Sequence, residues 1–163
     1  MELEELYKEV QPRIYAFFFI KTSSREVAED LTQEVFYEAL KSKHTFSQQS
    51  TIQTWLFSIA KNRLLKHYRT KKYKNQLNDM LKKETGESMS PEEEVLKKET
   101  KQNLINFINR LDDVSKEVVT LRIYGELSFK EIGSLLGKSE NFARVTFHRA
   151  KLKLYKEMEG YHG

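Results

Sequence analysis

Residues 39–78 carry basic and aromatic side chains but contain no Asp or Glu. A polyanion lying against them would meet no like charge, and unpaired bases could stack on the rings. This composition favours a nucleic-acid contact, single-stranded in particular, over the plainer alternative of a solvated basic helix. Trp55 could equally anchor the helix in a core. The candidate contact residues are Trp55, Asn62, Arg63, Lys66, Arg69, Lys71 and Lys72.

A second group of candidate DNA contacts lies near the carboxyl end. A short apolar-periodic segment, the turn Gly137-Lys138-Ser139 and a longer basic segment follow one another, which is the helix-turn-helix pattern. The second helix of this motif enters the major groove, where Arg can pair with guanine and Asn with adenine. An ordinary helical hairpin with a charged outer face is the alternative. The candidates are Asn141, Arg144, His148, Arg149 and Lys151.

A third group of candidates is polar and acidic. Asp30, Gln33, Glu34 and Tyr37 fall on one side of a predicted helix whose other side is apolar. From periodicity alone, a solvated face is favoured over a binding face.

Residue types that could support catalysis or bind a metal occur here in unsuitable patterns. The chain has no Cys, which excludes disulfides and thiolate sites and fits a reducing cytosol. Its four His show no ligand spacing. The segment from Gly133 to Ser139 resembles a phosphate-binding loop but is one residue short between its glycines, and it lies inside a predicted helix. We therefore expect no catalysis, no metal and no cofactor.

The apolar content predicts a protein that does not enter a membrane. The longest apolar run, residues 15–20, is too short to span a bilayer. The acidic amino terminus does not suit a secretory signal. A cytoplasmic location without membrane insertion is the expectation.

Helices must position all three groups of candidate residues, because only six Gly and two Pro interrupt the 163 residues. The predicted fold class is all-α, with two small helical domains joined by a flexible linker and the helix-turn-helix in the second domain. Charge marks the boundaries, since two basic blocks flank an acidic middle within a net charge of +4. The predicted domains are residues 1–75 and 99–163, with the linker at 76–98.

Capping signals and periodicity predict the helices of the first domain. Ser23 and Glu26 fit a capping box before the second helix, and a third helix is predicted over residues 51–74. Pro91 and the acids after it predict the start of the next helix. The residues predicted to face inward on the third helix are Leu56, Ile59, Ala60 and Leu64.

Similar signals predict the helices of the second domain. Asp112 or Asp113 is predicted to cap one helix. Ser128 and Glu131 predict a second capping box, and a last helix is predicted over residues 140–158.

Three segments resemble the extracytoplasmic-function sigma factors of bacterial RNA polymerase. They are Ala-Glu-Asp-Leu-Thr-Gln-Glu-Val-Phe at 28–36, Thr-Trp-Leu-Phe-Ser-Ile-Ala-Lys-Asn at 54–62, and the helix-turn-helix at 128–150. Each segment alone is moderately specific, but the three occur in order and the likeness covers nearly the whole chain.

The resemblance implies a role for each group of residues. Asp30, Gln33, Glu34 and Tyr37 would dock on the clamp helices of the polymerase β′ subunit, and the β subunit would also be contacted. The group from Trp55 to Lys72 would hold the melted −10 strand of a promoter. The group from Asn141 to Lys151 would read the duplex −35 element. An anti-sigma factor is a further implied partner.

Two other functions fit parts of the sequence. A stand-alone helix-turn-helix regulator would bind duplex DNA as a dimer and would need no polymerase. An RNA-binding or membrane-surface protein would use the basic helix alone and would leave the carboxyl-terminal motif unexplained.

Overall fold

The computed structural model describes residues 3–47, 50–82 and 100–162. Within these ranges the chain is helical and contains no strand, which confirms the predicted fold class. A 3-10 turn at Lys43–Thr45 follows the second helix. The α-helices are α1 Leu3–Thr22, α2 Arg25–Lys41, α3 Ile52–Lys82, α4 Thr100–Asn109, α5 Asp113–Ile123, α6 Phe129–Leu136 and α7 Glu140–His162.

Helices α1 to α3 form the first domain around a buried aromatic and aliphatic centre. Phe17 and Phe57 meet edge to face with ring centroids 5.7 Å apart, and Ile14, Phe18 and Val35 are fully buried beside them. The four residues of α3 predicted to face inward are all buried. Apolar periodicity was therefore sufficient to orient this helix.

The sequence-based assignment of the cap of α2 was wrong by one residue. Ser24, not Ser23, is the N-cap, and its hydroxyl accepts a hydrogen bond from the backbone N–H of Val27 at 3.2 Å. Ser23 adopts a left-handed φ of 55°, which turns the chain between α1 and α2 in two residues. Two adjacent serines offer the same capping chemistry, so only the backbone conformation distinguishes them.

Helix α3 extends beyond its predicted end at residue 74 and runs to Lys82. The predicted linker at 76–98 therefore begins within a helix. Residues 75–81 of this extension are exposed, so it has no buried face that the sequence pattern could have revealed. Residues 83–99, including the predicted helix start at Pro91, lie outside the described residues.

The second domain contains the predicted helix-turn-helix in α6 and α7. Asp112 caps α5 by accepting from the N–H of Ser115. Ser128 and Glu131 form the predicted capping box of α6. Gly137 ends α6 with φ 68°, a left-handed conformation that glycine adopts at no steric cost. Ala150 and Leu154 of α7 are buried in this domain's own apolar cluster.

The two domains share one hydrophobic core, a feature that the sequence did not predict. Phe57 of α3 belongs to the same buried cluster as Leu121, Leu127 and Ile132 of the second domain. The approach is close, because a Cβ added to Gly125 would lie 3.2 Å from the Phe57 ring. Helix α3 packs against α6, and α1 packs against α5.

Gly133 of α6 provides a test of the helix-turn-helix geometry. A Cβ there would lie 2.7 Å from the carbonyl oxygen of Ser139 and 2.9 Å from that of Lys138. Alanine is favoured over glycine by about 1 kcal/mol in an open helix, but forcing backbone apart in a packed site costs about 1–3 kcal/mol. We expect Gly133→Ala to destabilise the chain in urea unfolding. The exposed neighbour Ser134→Ala is the control, and a more stable Gly133→Ala chain would contradict the packing described here.

Candidate nucleic-acid interfaces and the acidic face of α2

The predicted nucleic-acid face of α3 is exposed over most of its length. Asn62, Lys66 and Arg69 follow one another at spacings of four and three residues, and all three are exposed. Lys71 and Lys72 are exposed farther along α3, where the helical period turns Lys71 away from this face. The face formed by Asn62, Lys66 and Arg69 can therefore receive a polyanion along about two helical turns.

Trp55 anchors α3 in the core and keeps part of its ring exposed, so its stacking role stays a prediction. Its ring is half-buried and packs against the shared core. Phe46, from the segment that precedes α3, lies with its ring centroid 5.3 Å from that of Trp55 at an interplanar angle of 42°. The two rings form an aromatic step at the amino end of α3, and the partly exposed indole is available for stacking.

Arg63 occupies a different environment from the other basic candidates. Its Nε donates to Glu38 Oε2 at 2.7 Å, and its Nη1 lies 4.0 Å from Glu34 Oε2. The guanidinium thus joins α3 to α2 within the first domain. A nucleic-acid contact by Arg63 stays a prediction, and it would require the guanidinium to be shared with Glu38.

The acidic face of α2 carries an exposed aromatic ring. Asp30, Gln33, Glu34 and Tyr37 are all exposed, and Tyr37 exposes 66% of its surface. Leu40 on the next turn is 55% exposed. Tyr37 and Leu40 therefore give this acidic face apolar area that a protein partner could bury.

The residues of α7 that are predicted to contact DNA bases are exposed, and Arg144 among them packs against α6. Asn141, Arg144 and His148 are exposed. The guanidinium of Arg144 lies 5.5 Å from the Phe129 ring centroid and its Nη2 lies 3.2 Å from Glu140 Oε1. These two contacts hold the guanidinium between the Phe129 ring of α6 and the Glu140 carboxylate at the start of α7. Arg149 and Lys151, the predicted phosphate contacts, are also exposed.

A basic cleft that the sequence analysis missed lies between the start of α2 and the middle of α3. It has a volume of about 330 Å³ and is lined in part by Thr22, Ser24, His67, Lys71 and Lys74. Burial, followed by the charge of Lys71, lowers the pKa of His67 below its ordinary value of 6.5. The lining residues come from the start of α2 and from the second half of α3, far apart in the sequence, so their spacing gives no signal.

The lowered pKa of His67 predicts a pH-dependent stability. Because the folded chain binds the proton less tightly than the unfolded chain, this contribution is present above pH 6.5 and is lost as pH falls through the folded-state pKa. We expect His67→Gln to flatten the loss of stability below pH 6.5 in urea unfolding. A His67→Gln chain whose stability falls as steeply below pH 6.5 as that of the parent chain would contradict this prediction.

No helix in the described ranges is both long enough and apolar enough to cross a bilayer. The described residues also contain no group of three or more His, Asp or Glu side chains arranged to hold a metal ion.

Comparison with known proteins assigns each domain to a family. Residues 6–73 match Sigma-70 region 2, and residues 101–154 match Sigma-70, region 4. A basic helical domain followed by a helix-turn-helix domain, matched in this order, is the architecture of RNA polymerase sigma factors.

Curated relatives define the branch of that class. The chain is 34% identical to the RNA polymerase sigma factor YlaC of Bacillus subtilis over 96% of this chain and 91% of that protein. It is 31% identical to the ECF RNA polymerase sigma factor SigM of the same organism, over 94% and 93%. The chain belongs to the extracytoplasmic-function sigma factors.

Solved structures show the same fold at lower identity. The sigma factor RpoE of Bartonella quintana, in complex with the anti-sigma factor NepR, matches with a TM-score of 0.72, 21% identity and 96% coverage of both chains. CnrH in complex with the cytosolic domain of CnrY matches with a TM-score of 0.63 and 19% identity, over 97% of this chain and 86% of CnrH.

Proposed function

We propose that this chain binds core RNA polymerase, recognises the −35 and −10 elements of its promoters and promotes their melting. The observation that carries the proposal is the pair of exposed basic faces, on α3 and α7, placed on the two matched sigma regions. The chain works by binding, and RNA synthesis remains the chemistry of the polymerase. A cytoplasmic location follows from that partner.

The polymerase contact is assigned to α2. Its exposed carboxylates Asp30 and Glu34 lie on one face with Gln33 and Tyr37. Helices of the β′ subunit that carry positive charge could cover this face. The exposed Tyr37 ring supplies the apolar area that an interface centre needs. The β subunit is the further contact within core polymerase.

The −10 element is assigned to α3. Unpaired bases would stack at the Phe46–Trp55 step, and Asn62 could read a base edge. Lys66, Arg69, Lys71 and Lys72 would neutralise the backbone. Stacking and charge contacts on the trapped strand would offset the cost of opening the duplex.

The −35 element is assigned to α7. Arg144 and Asn141 lie in its first turns, where a recognition helix meets base edges. The two promoter elements would be about two helical turns apart, roughly 70 Å.

An anti-sigma factor is proposed as the regulator of this chain. The solved structure of RpoE, which has the same fold, contains the anti-sigma factor NepR as its partner. The stand-alone regulator is not favoured, because it would leave the region 2 match and the α3 face without a role.

Run-off transcription tests the function directly. Core polymerase purified without sigma factors, incubated with a genomic fragment library, should yield discrete transcripts only when this chain is added. An unchanged transcript pattern would refute the proposal, and specific binding of free duplex to a two-fold symmetric site would favour the stand-alone regulator.

A further inference from the structure

Val145 is an apolar residue on the otherwise polar exposed side of α7. The exposed side chains in the first two turns of this helix, residues 140–147, are Glu140, Asn141, Arg144 and Val145. Val145 exposes 37% of its surface, whereas Phe142 in the same turns is half-buried. Val145 is therefore the exposed apolar group that these two turns present to a ligand.

The position of Val145 places it among the predicted base contacts. It follows Asn141 by four residues and precedes His148 by three, so the three side chains share one face of α7. Both neighbours are exposed. Ala143 and Ala150, on the opposite side of the helix, are buried in the protein. The isopropyl group of Val145 therefore lies on the surface that would enter a major groove.

Packing does not account for a valine at this position. Within the part of the chain that the structure describes, Val145 belongs to neither of the two apolar clusters. A β-branched side chain also loses rotamer freedom in a helix and is a weak helix former. One exposed apolar residue is ordinary on a protein surface, but this one lies between two candidate base contacts. A contact with the ligand of α7 would give its isopropyl group a partner.

We propose that Val145 contacts the C5-methyl group of a thymine in the −35 element and makes this chain select thymine there. The inference rests on the proposed function, because it specifies one base that α7 reads. In the major groove, guanine, cytosine and adenine present hydrogen-bonding groups, whereas thymine adds a methyl group to its acceptor. A valine set against the other bases would cover their polar groups without pairing them, which is unfavourable.

The neighbouring residue Arg144 limits where this thymine can lie. Its guanidinium is held between the Phe129 ring and the Glu140 carboxylate. Val145 is displaced from Arg144 by about 1.5 Å along the helix axis, which is less than the spacing of roughly 3.4 Å between base pairs. We therefore expect the thymine, on either strand, at a base pair next to the one that Arg144 contacts.

Deoxyuridine isolates the methyl group experimentally, because it lacks the C5-methyl of thymidine and keeps every pairing group. A promoter fragment recovered from the run-off library is prepared as a series in which the thymines of the −35 region are replaced one at a time. Competition in a mobility-shift assay measures the affinity of the complex between core polymerase and the chain. We expect one replacement to lower the affinity about fourfold, which corresponds to roughly 0.8 kcal/mol for one buried methyl group.

Substitution of Val145 should remove this sensitivity to the methyl group. Val145→Ala should bind the thymine fragment about fourfold less tightly than the parent chain and should bind the deoxyuridine fragment equally well. Val145→Thr keeps one of the two methyl groups and should retain part of the sensitivity. Alanine is a better helix former than valine, and circular dichroism verifies that each variant keeps its helices.

Leu152→Ala is the matched control. Leu152 lies on the same face of α7 and exposes 63% of its surface, but it is seven residues farther along, about 10 Å beyond Val145. The Leu152→Ala complex should show the same fourfold loss on deoxyuridine as the parent complex.

Two outcomes would overturn the inference: a parent complex that no replacement in the −35 region weakens, or a Val145→Ala complex that remains as sensitive as the parent. Either result would leave run-off transcription, and with it the proposed function, intact. If the chain directs no transcription, duplexes selected from a randomised library by the chain alone supply the fragments for the same series. A methyl effect that Val145→Ala abolishes on those duplexes would then retain the thymine contact while the proposed function is refuted.

Discussion

Replacing Asp30 and Glu34 together by alanine is expected to weaken binding to core RNA polymerase by roughly ten- to a hundredfold. Both side chains are exposed on α2, so the substitution removes two charges from the surface without opening a cavity. Loss of Glu34 also removes a pair with Arg63, but that pair is long, at 4.0 Å, and Glu38 keeps its own closer contact. Unfolding in urea should therefore change little.

The control for this substitution must change the net charge equally. Glu157→Ala with Glu159→Ala removes two exposed acids from the far end of α7 and should leave polymerase affinity unchanged. Binding can be followed by fluorescence anisotropy of the labelled chain titrated with core polymerase at several salt concentrations. If the two double variants bind equally well, the docking surface lies elsewhere.

Local chemistry explains why the helices could be predicted from the sequence. Asp112, Ser128 and Glu131 cap helices through side chains only three residues from the groups they satisfy, so the signal is contained within a short segment. Apolar spacing likewise identified the buried side of α3. The failure at Ser23 and Ser24 has the same origin, because neighbouring residues with equal chemistry give equal signals.

The domain contact could not be predicted in this way. Glu131 meets Thr51 and Thr54 across about eighty residues of sequence, and Lys21 meets Glu117 across ninety-six. The sequence predicts Glu131 as a capping residue, and the structure confirms it. Capping uses only Oε1, however, and Oε2 contacts Thr51 and Thr54. Residues that already satisfy a local rule give no sign of a second partner.

The exposure of the candidate residues was the feature of the site that the sequence predicted most accurately. Asn62, Lys66 and Arg69 were placed on one face by spacing alone, and the structure leaves them exposed there. Arg63 differs because its partner Glu38 lies on another helix. A charge count along one helix cannot show which basic groups already have an acid beside them.

Arg144→Ala is expected to lower promoter affinity of the polymerase complex by roughly five- to a hundredfold, the loss of about 1–3 kcal/mol for one bidentate base contact. The Arg144 side chain is exposed and lies over Phe129, so its removal leaves the buried face of α7 intact. The defect should vanish on a template whose −35 element has been replaced, because the lost contact is specific to that sequence. Arg144→Lys keeps the charge without the planar fork and should recover only part of the affinity.

Lys71→Ala is expected to weaken DNA binding without regard to sequence, in contrast to Arg144→Ala. The same affinity measurement therefore distinguishes a phosphate contact from a base contact. The Lys71 ammonium is exposed in the acid-free stretch, where a phosphate contact would be independent of sequence. Affinity should fall on every template alike, and the slope of log affinity against log salt should become shallower by about one. If Arg144→Ala also weakened every template alike, Arg144 would be a backbone contact, and the reading of the −35 bases would have to be assigned to other residues of α7.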